Sequence, residues 1–369
     1  MIFKNMPFKI SKPAKLILIS ALLAILIFSL SCQKREKIVY GVSPYQDTIL
    51  PVVADLEGWY KEEGLDVEIR VLPWGEVMNS LAAGAVDVAI QNFNSFQAPY
   101  HNINERGGDV IFYYPFYVFK GAAIMIRKDG PIKSLEFYLK EYPNSREKAI
   151  EETVKQLKGK TVITTKGTEM EQIVLSAIDK AGLKPNQDVK IIHALPDDGL
   201  NAFLGGAGDA YSGGLTERTK AKKEGAIEMV ESADLAPPVI DGIVTTRKFA
   251  NSHEKELSKL INLWFKTIRF MEDDLDNRSI IVIDYLGKVG SVKYTVDEYK
   301  YTWFYMEVYP KYPEEAKKLF LDENSNFYWK RSWDSNNEFL TKDRKIPAPV
   351  PYDAFWGNKV QSIYVSKSP

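Results

Sequence analysis

A single cysteine, Cys32, stands in 369 residues, so no intramolecular disulfide can form and the fold must rely on its core. Histidine is scarce as well. His101, His193 and His253 are scattered, His193 inside a β-rich run and His253 in a helical charge cluster, which speaks against a metal site. G-x-S-x-G, H-E-x-x-H and Walker signatures are absent, and the glycine-rich pieces GGAGDAYSGG and GLTERTK lack dinucleotide spacing. No catalytic residue, cofactor or metal is therefore expected. Neither sign of charge dominates: 48 basic residues face 49 acidic ones, so no nucleic-acid partner is indicated.

What is present begins at the N-terminus. Lys4, Lys9, Lys12 and Lys15 precede an uncharged apolar stretch from Leu16 to Leu30, followed by Ser31 and Cys32, the pattern of an export signal. At about 1.5 Å per helical residue this stretch is shorter than a hydrocarbon core of about 30 Å, although a short signal anchor stays open. The tract resembles a bacterial lipoprotein signal, which implies acylation of Cys32 and attachment to a membrane at the cell surface or in the periplasm. Ser29 stands where such signals usually carry Leu, and Ser29 with Ser31 also fits ordinary cleavage without a lipid. Losing residues 1–32 would leave 44 basic against 49 acidic residues, a formal charge of −5, on about 337 residues. That exceeds the size at which one core usually stops growing, so two domains are expected.

An internal repeat gives the organisation. DVEIRVLPWGEVMNSLAAGAVDVAI, Asp66 to Ile90, aligns without a gap on DVKIIHALPDDGLNAFLGGAGDAYS, Asp188 to Ser212. Identities fall at Asp66/Asp188, Val67/Val189, Ile69/Ile191, Asn79/Asn201, Gly84/Gly206, Ala85/Ala207 and Asp87/Asp209. Upstream of each copy lies a β-rich run and then a helical stretch: Ile38 to Val42 before Ile49 to Glu63, and Thr161 to Thr165 before Glu169 to Ala181. Gly64 and Gly182 close those helices as left-handed caps would. Each copy continues as strand, loop, helix and strand, so each unit reads as βαβαβ. Right-handed crossovers then predict two α/β lobes, each with a parallel sheet covered by helices.

The phrases EGWYKEEGLDVE, AAGAVDVAI and LKGKTV, within a match from Lys37 to about Gly287, resemble the nitrate/sulfonate/taurine and thiamine-precursor branch of periplasmic solute-binding proteins. The resemblance implies a type 2 periplasmic binding protein fold: α/β, with two Rossmann-like lobes on mixed, mostly parallel sheets joined by a two-strand hinge. It implies lobe one over 37–125, lobe two over 126–241, and a return over 242–369. The chain would leave lobe one near Ile124 to Arg127 and come back through Gly242 to Thr246. It further implies a non-enzymatic monomer that captures a small solute and delivers it to the permease of an ABC importer. Pyrimidine-forming synthases share the fold but resemble a cysteine-rich motif absent here; a solute receptor for a membrane sensor stays open. Two stretches depart from the family pattern, a charged helical insertion at 131–156 and an aromatic tail after Gly287 with YTWFYMEVYPKY and FYWKRSW. Its interspersed charges suggest that the tail packs back onto lobe one.

Ligands of open α/β sheets sit beyond the carboxyl ends of the strands, which selects the candidate loops. In lobe one these are Ser43 to Asp47, Pro73 to Glu76 and Gln91 to Ser95, offering Ser43, Tyr45, Gln46, Trp74, Gln91 and Asn92 as ligand contacts. Ser43 or Asp47 could equally cap a helix, and Trp74 could equally pack on a neighbouring helix. In lobe two they are Lys166 to Glu169, Leu195 to Asp198 and Tyr211 to Gly214, with Thr168, Glu169 and Tyr211 as candidates. TKGTE suits an anion held by amides and a hydroxyl, but Glu169 would repel one unless it points away or the solute carries a cationic or donor end. Asp241, just before the return strand, is a hinge candidate or a turn residue.

Overall fold

The computed structural model describes residues 37–236, 238–289, 293–342 and 345–367, with side chains through 362. Cys32 and the signal tract lie outside the described residues. Among those described, no helix is long and apolar enough to cross a membrane.

The β-branched runs form strands β1 (Lys37–Val42), β2 (Asp66–Val71), β3 (Val88–Asn92), β4 (Val110–Phe119), β5 (Ala123–Arg127), β6 (Thr161–Thr164), β7 (Lys190–His193), β8 (Ala210–Gly213), β9 (Ala226–Glu231), β10 (Val239–Thr246) and β11 (Glu307–Val308). They build a six-stranded sheet, β11-β4-β10-β3-β1-β2, and a five-stranded sheet, β7-β6-β8-β5-β9, one for each lobe. Setting β11 aside, the two orders are the same. The first three strands of each repeat copy are followed by one strand from the other half of the chain: β10 beside β3 in lobe one, β5 beside β8 in lobe two.

The repeat extends to a shared hydrogen bond. Asp87 Oδ2 accepts from the Val39 amide at 2.8 Å, and Asp209 Oδ2 accepts from the Thr161 amide at 2.8 Å. In each lobe this carboxylate, just before the third strand, holds the start of the first strand in parallel register. Gly64 and Gly182 have φ of 74° and 66°, and Leu65 and Leu183 donate back to Tyr60 and Ile178 carbonyls, so both helices end in left-handed caps.

Two expectations are corrected and one holds. The helix expected over Ile49 to Glu63 is two shorter ones, Pro51–Leu56 and Trp59–Glu62, because Gly58 between them takes φ of 76°. The sheets are mixed and mostly parallel in strand direction: β1–β3, β6–β7 and β6–β8 pair parallel, β4 and β9 run the same way as these because each lies antiparallel to a reversed strand, and only β10, β11 and β5 are reversed. Parallel pairing is confined to the βαβ units, where a helix returns the chain to the same edge. The lobe boundaries at 125/126 and 241/242 fall inside β5 and β10, each of which lies wholly in one sheet. The crossings instead begin at Lys120 and at Ser232, just before β5 and just after β9, and they bond each other, Ser232 N to Ala122 O at 2.9 Å and Ser232 Oγ to Lys120 O at 3.1 Å.

β4 is buried along all ten residues, VIFYYPFYVF, as expected of a strand covered on both faces. One cover is the C-terminal tail. Phe93 lies 4.6 Å from Phe112 and 5.0 Å from Trp333, and Trp329 stacks on Phe355 at 4.1 Å. Aromatics of such size dominate a core by area alone, so the tail is an integral part of lobe one. The insertion forms helices Leu135–Glu141 and Arg146–Lys155 on lobe two, the latter with Ala149, Ile150 and Val154 buried.

Candidate functional site

The carboxyl ends of β1, β2 and β3 in lobe one and of β6, β7 and β8 in lobe two open onto one cavity of about 860 Å³. Tyr45, Gln46, Trp74, Gln91, Asn92, Thr168, Glu169, Tyr211 and Asp241 all line it. Ser43 does not. It lies beneath the wall, 1% exposed, with its carbonyl accepting from Tyr45 N and Thr48 Oγ1, each at 2.8 Å, because the chain turns inward immediately after β1.

The lobe one side is an aromatic wall braced by amides. Tyr45 and Trp74 meet edge to face, with centroids 6.0 Å apart and planes at 75°. Trp74 Nε1 donates to Ser95 Oγ at 2.9 Å, and Gln91 Nε2 donates to the Trp74 carbonyl at 3.3 Å. The half-buried indole is thus fixed by its polar edge while its face borders the cavity. Asn92 caps the next helix by accepting from Ser95 N at 2.9 Å. Gln46 has little to offer a ligand: Nε2 donates to Glu307 Oε1 at 2.8 Å, and Oε1 accepts from Tyr294 Oη at 3.1 Å and from Thr216 Oγ1. Its amide joins lobe one, lobe two and the tail.

On the lobe two side the N-terminus of the helix over Glu169–Lys180 is already capped. Thr168 Oγ1 accepts from Met170 N at 3.2 Å and donates to Thr165 O at 2.7 Å. Gly167 N, the amide expected to hold an anion, donates to Glu171 Oε2 at 2.7 Å. Glu171 in turn meets Lys345 of the tail at 2.8 Å and His193 Nε2 at 2.8 Å. Tyr211, 1% exposed, donates its hydroxyl to Pro196 O at 2.9 Å, so its ring rather than its hydroxyl faces the cavity. The lobes touch through a buried bond, Asn94 Nδ2 donating to Gln172 Oε1 at 2.7 Å.

Acidity is the dominant electrostatic feature. Asp47, Glu169, Asp197, Asp198, Glu217 and Asp241 line the cavity, against Lys166 and Lys220. Lys220 is paired with Asp197 at 2.8 Å, and Lys166 is exposed. Burial pushes Asp241 well above the usual carboxylate range, and the charges of Asp47 and Glu169 push it further. Burial also raises Glu169, partly offset by its own amide and by the Asn92 side chain, which donates to it across the cleft. Glu217 is pushed up to about 7 by burial, against hydrogen bonds from its own and the Gly214 amides. Asp241 Oδ2 and Glu169 Oε2 are buried without a hydrogen-bond partner among the described residues. No group of three histidine, cysteine, aspartate or glutamate side chains among the described residues is arranged to hold a metal.

Several of these groups were not sequence candidates. Asp47 stood only as a helix cap, yet it accepts from Tyr117 Oη at 2.8 Å inside the wall. Glu217 has a local signal: a Thr-Glu pair, Thr216-Glu217, lies in the first turn of the helix after β8, and Thr168-Glu169 begins the helix after β6. Tyr117, Tyr294 and Glu307 reach the site from β4 and the tail, and no local pattern marks them.

The profile of the NMT1-like family matches residues 33–283. No curated protein matches the chain. Among solved structures, the periplasmic aliphatic sulphonate-binding protein SsuA of Escherichia coli superposes with a TM-score of 0.62 at 16% identity, covering 87% of this chain and 92% of that one. The alkanesulfonate-binding SsuA of Xanthomonas axonopodis pv. citri, bound to MOPS, gives 0.60 at 14%, covering 87% and 98%. The periplasmic nitrate-binding protein NrtA of Synechocystis PCC 6803 gives 0.61 at 13%, covering 90% and 86%. At these identities the likeness is one of fold, and it extends over both lobes.

Proposed function

Because the chain belongs to the NMT1-like family, we propose that it is an extracytoplasmic solute-binding protein: it takes a small organic solute into the interlobe cleft and passes it to an ABC import permease. The observation that carries this reading is the convergence of six strand-end loops, three from each lobe, on a single cavity of about 860 Å³. A pocket of that size suits a small molecule, and its walls belong to two lobes between which the chain passes at two adjacent crossings. Rotation about such crossings opens and closes a cleft, and a solute touching both walls stabilises the closed form by its differential contacts. The relatives of known structure are named as binding proteins, which favours capture over turnover.

The experiment is a thermal-shift assay of residues 33–369 with the small-molecule fraction of a bacterial extract, alongside sulfonates, nitrate, carboxylates and thiamine-type pyrimidines. A ligand that binds only the folded state raises the melting temperature by mass action. No shift with any of them at saturation would count against solute capture.

We further propose that Cys32 carries a lipid and tethers the protein to the membrane. Metabolic labelling with a fatty acid would mark the full-length chain, and Cys32→Ala would lose both the label and membrane retention. Equal labelling of the variant would contradict the anchor.

A further inference from the structure

An anion in this cleft would find several helix-terminal donors engaged, and at the helix over Pro196–Leu204, whose N-cap Leu195 makes no side-chain bond, it would meet Asp197 and Asp198 in the first turn. Gly167 N serves Glu171, Met170 N serves Thr168, Ser95 N serves Asn92, and Gly214 N serves Glu217. Amides at helix termini hold anions only while they have no internal acceptor. Here the chain's own oxygens, three of the four from acidic or amide side chains, fill that role. The cavity presents acceptors instead. Glu169 from lobe two, 7% exposed, and Asp241 from β10 of lobe one, 2% exposed, each keep one carboxylate oxygen unpartnered among the described residues, and both residues line the cavity. A buried carboxylate oxygen without a donor is costly, and a ligand donor removes that cost.

We infer that the cleft selects an organic cation, a compact solute whose protonated amine or amidinium lies between Glu169 and Asp241 while its flat apolar body rests against Trp74 and Tyr45. This rests on reading the cleft as a solute site. The two carboxylates stand on opposite walls, so the cationic head ties the lobes together and couples recognition to closure. Tyr45 and Trp74, edge to face, leave ring surface toward the cavity, and aromatic faces favour cations as well as flat rings. The raised proton affinities of Asp241 and Glu169 arise first from burial and then from repulsion by neighbouring acids, Asp47 among them, and the opposite charge of a cation offsets both. Lys220, engaged by Asp197, does not neutralise them.

The test splits the small-molecule extract on cation- and anion-exchange resins and adds benzylammonium, ethanesulfonate and nitrate as defined probes. Melting temperature and calorimetric affinity are read for the wild type, Glu169→Gln and Asp241→Asn. The expected result is stabilisation by the cation-retained fraction, with affinity at least about tenfold weaker in each variant. Stabilisation only by the anion-retained fraction, by the unretained fraction, or by ethanesulfonate or nitrate overturns the cation inference and leaves solute capture standing. No stabilisation by any fraction overturns both. Should Asp241→Asn fail to fold, Glu169→Gln on the other lobe decides.

Discussion

Asp47 and Asp241 converge on one phenol: Tyr117 donates its hydroxyl to Asp47 Oδ2 at 2.8 Å, while Asp241 Oδ2, buried in the neighbouring strand, has no donor among the described residues. A phenol has one proton to give, so it can satisfy one of these acids at a time. The other must be protonated, repelled or met by something that enters the cleft.

The stability of the ligand-free protein reads out that conflict. Asp241→Asn removes a carboxylate held well above its usual range by burial, by Asp47 and by Glu169, with Glu307 adding to the same field. At pH 8 the variant is expected to melt higher than the wild type, by the equivalent of about 1–3 kcal/mol. As pH falls and Asp241 takes up its proton, becoming nearly isosteric with Asn, the difference should shrink. Equal melting temperatures at pH 8 would show that Asp241 is not strained.

Glu217 sets a second pH dependence. Its folded-state value is about 7 against an ordinary 4.5, so between these limits the folded state holds more protons than the unfolded one. Stability must then fall as pH rises through that window, by about 3 kcal/mol from this group in full. Lys220 opposes the shift and Asp197 reinforces it. Glu217→Gln should flatten the decline of melting temperature between pH 4.5 and 7, and an unchanged slope would assign the decline to other acids.

Binding of an organic cation should show the opposite trend. The cation prefers ionised carboxylates, so its affinity should rise with pH toward 8 and protons should be released on binding. Calorimetry in buffers of different ionisation enthalpy measures that release. Proton uptake would contradict a cationic head between Glu169 and Asp241.

Trp74 is anchored by its edge and half-exposed by its face, so Trp74→Ala should weaken binding about tenfold while lowering the melting temperature only slightly. Trp333→Ala should behave in the reverse way. Trp333 is fully buried among Phe93, Phe96 and Trp329, and its loss should cost about 3–5 kcal/mol of stability. Calorimetry with thermal melts separates the two, and a tail variant with unaltered stability would refute the tail's place in the core.

The halves of the fold were legible because duplication repeats both pattern and bonds: Asp87 and Asp209 align in the sequence and hold equivalent amides at 2.8 Å. The strand-end loops followed from the same periodicity, and nine of the ten candidate positions line the cavity. Ser43 could not be placed, since the turn after β1 that buries it depends on packing beneath the loop. Nor could the roles of Gln46 and Asp47 be read, because their partners, Glu307, Tyr294 and Tyr117, lie at least 70 residues away. Gly58 was readable in principle, yet one glycine inside an apolar periodicity does not announce that its φ will be positive.

Closure of two lobes on a guest is measured most directly by small-angle X-ray scattering of residues 33–369, with and without the extract fraction that raises the melting temperature. A radius of gyration that falls at saturation is the expected outcome. A radius unchanged while that same fraction is bound would mean that the cleft does not close, and the two crossings would not be a hinge.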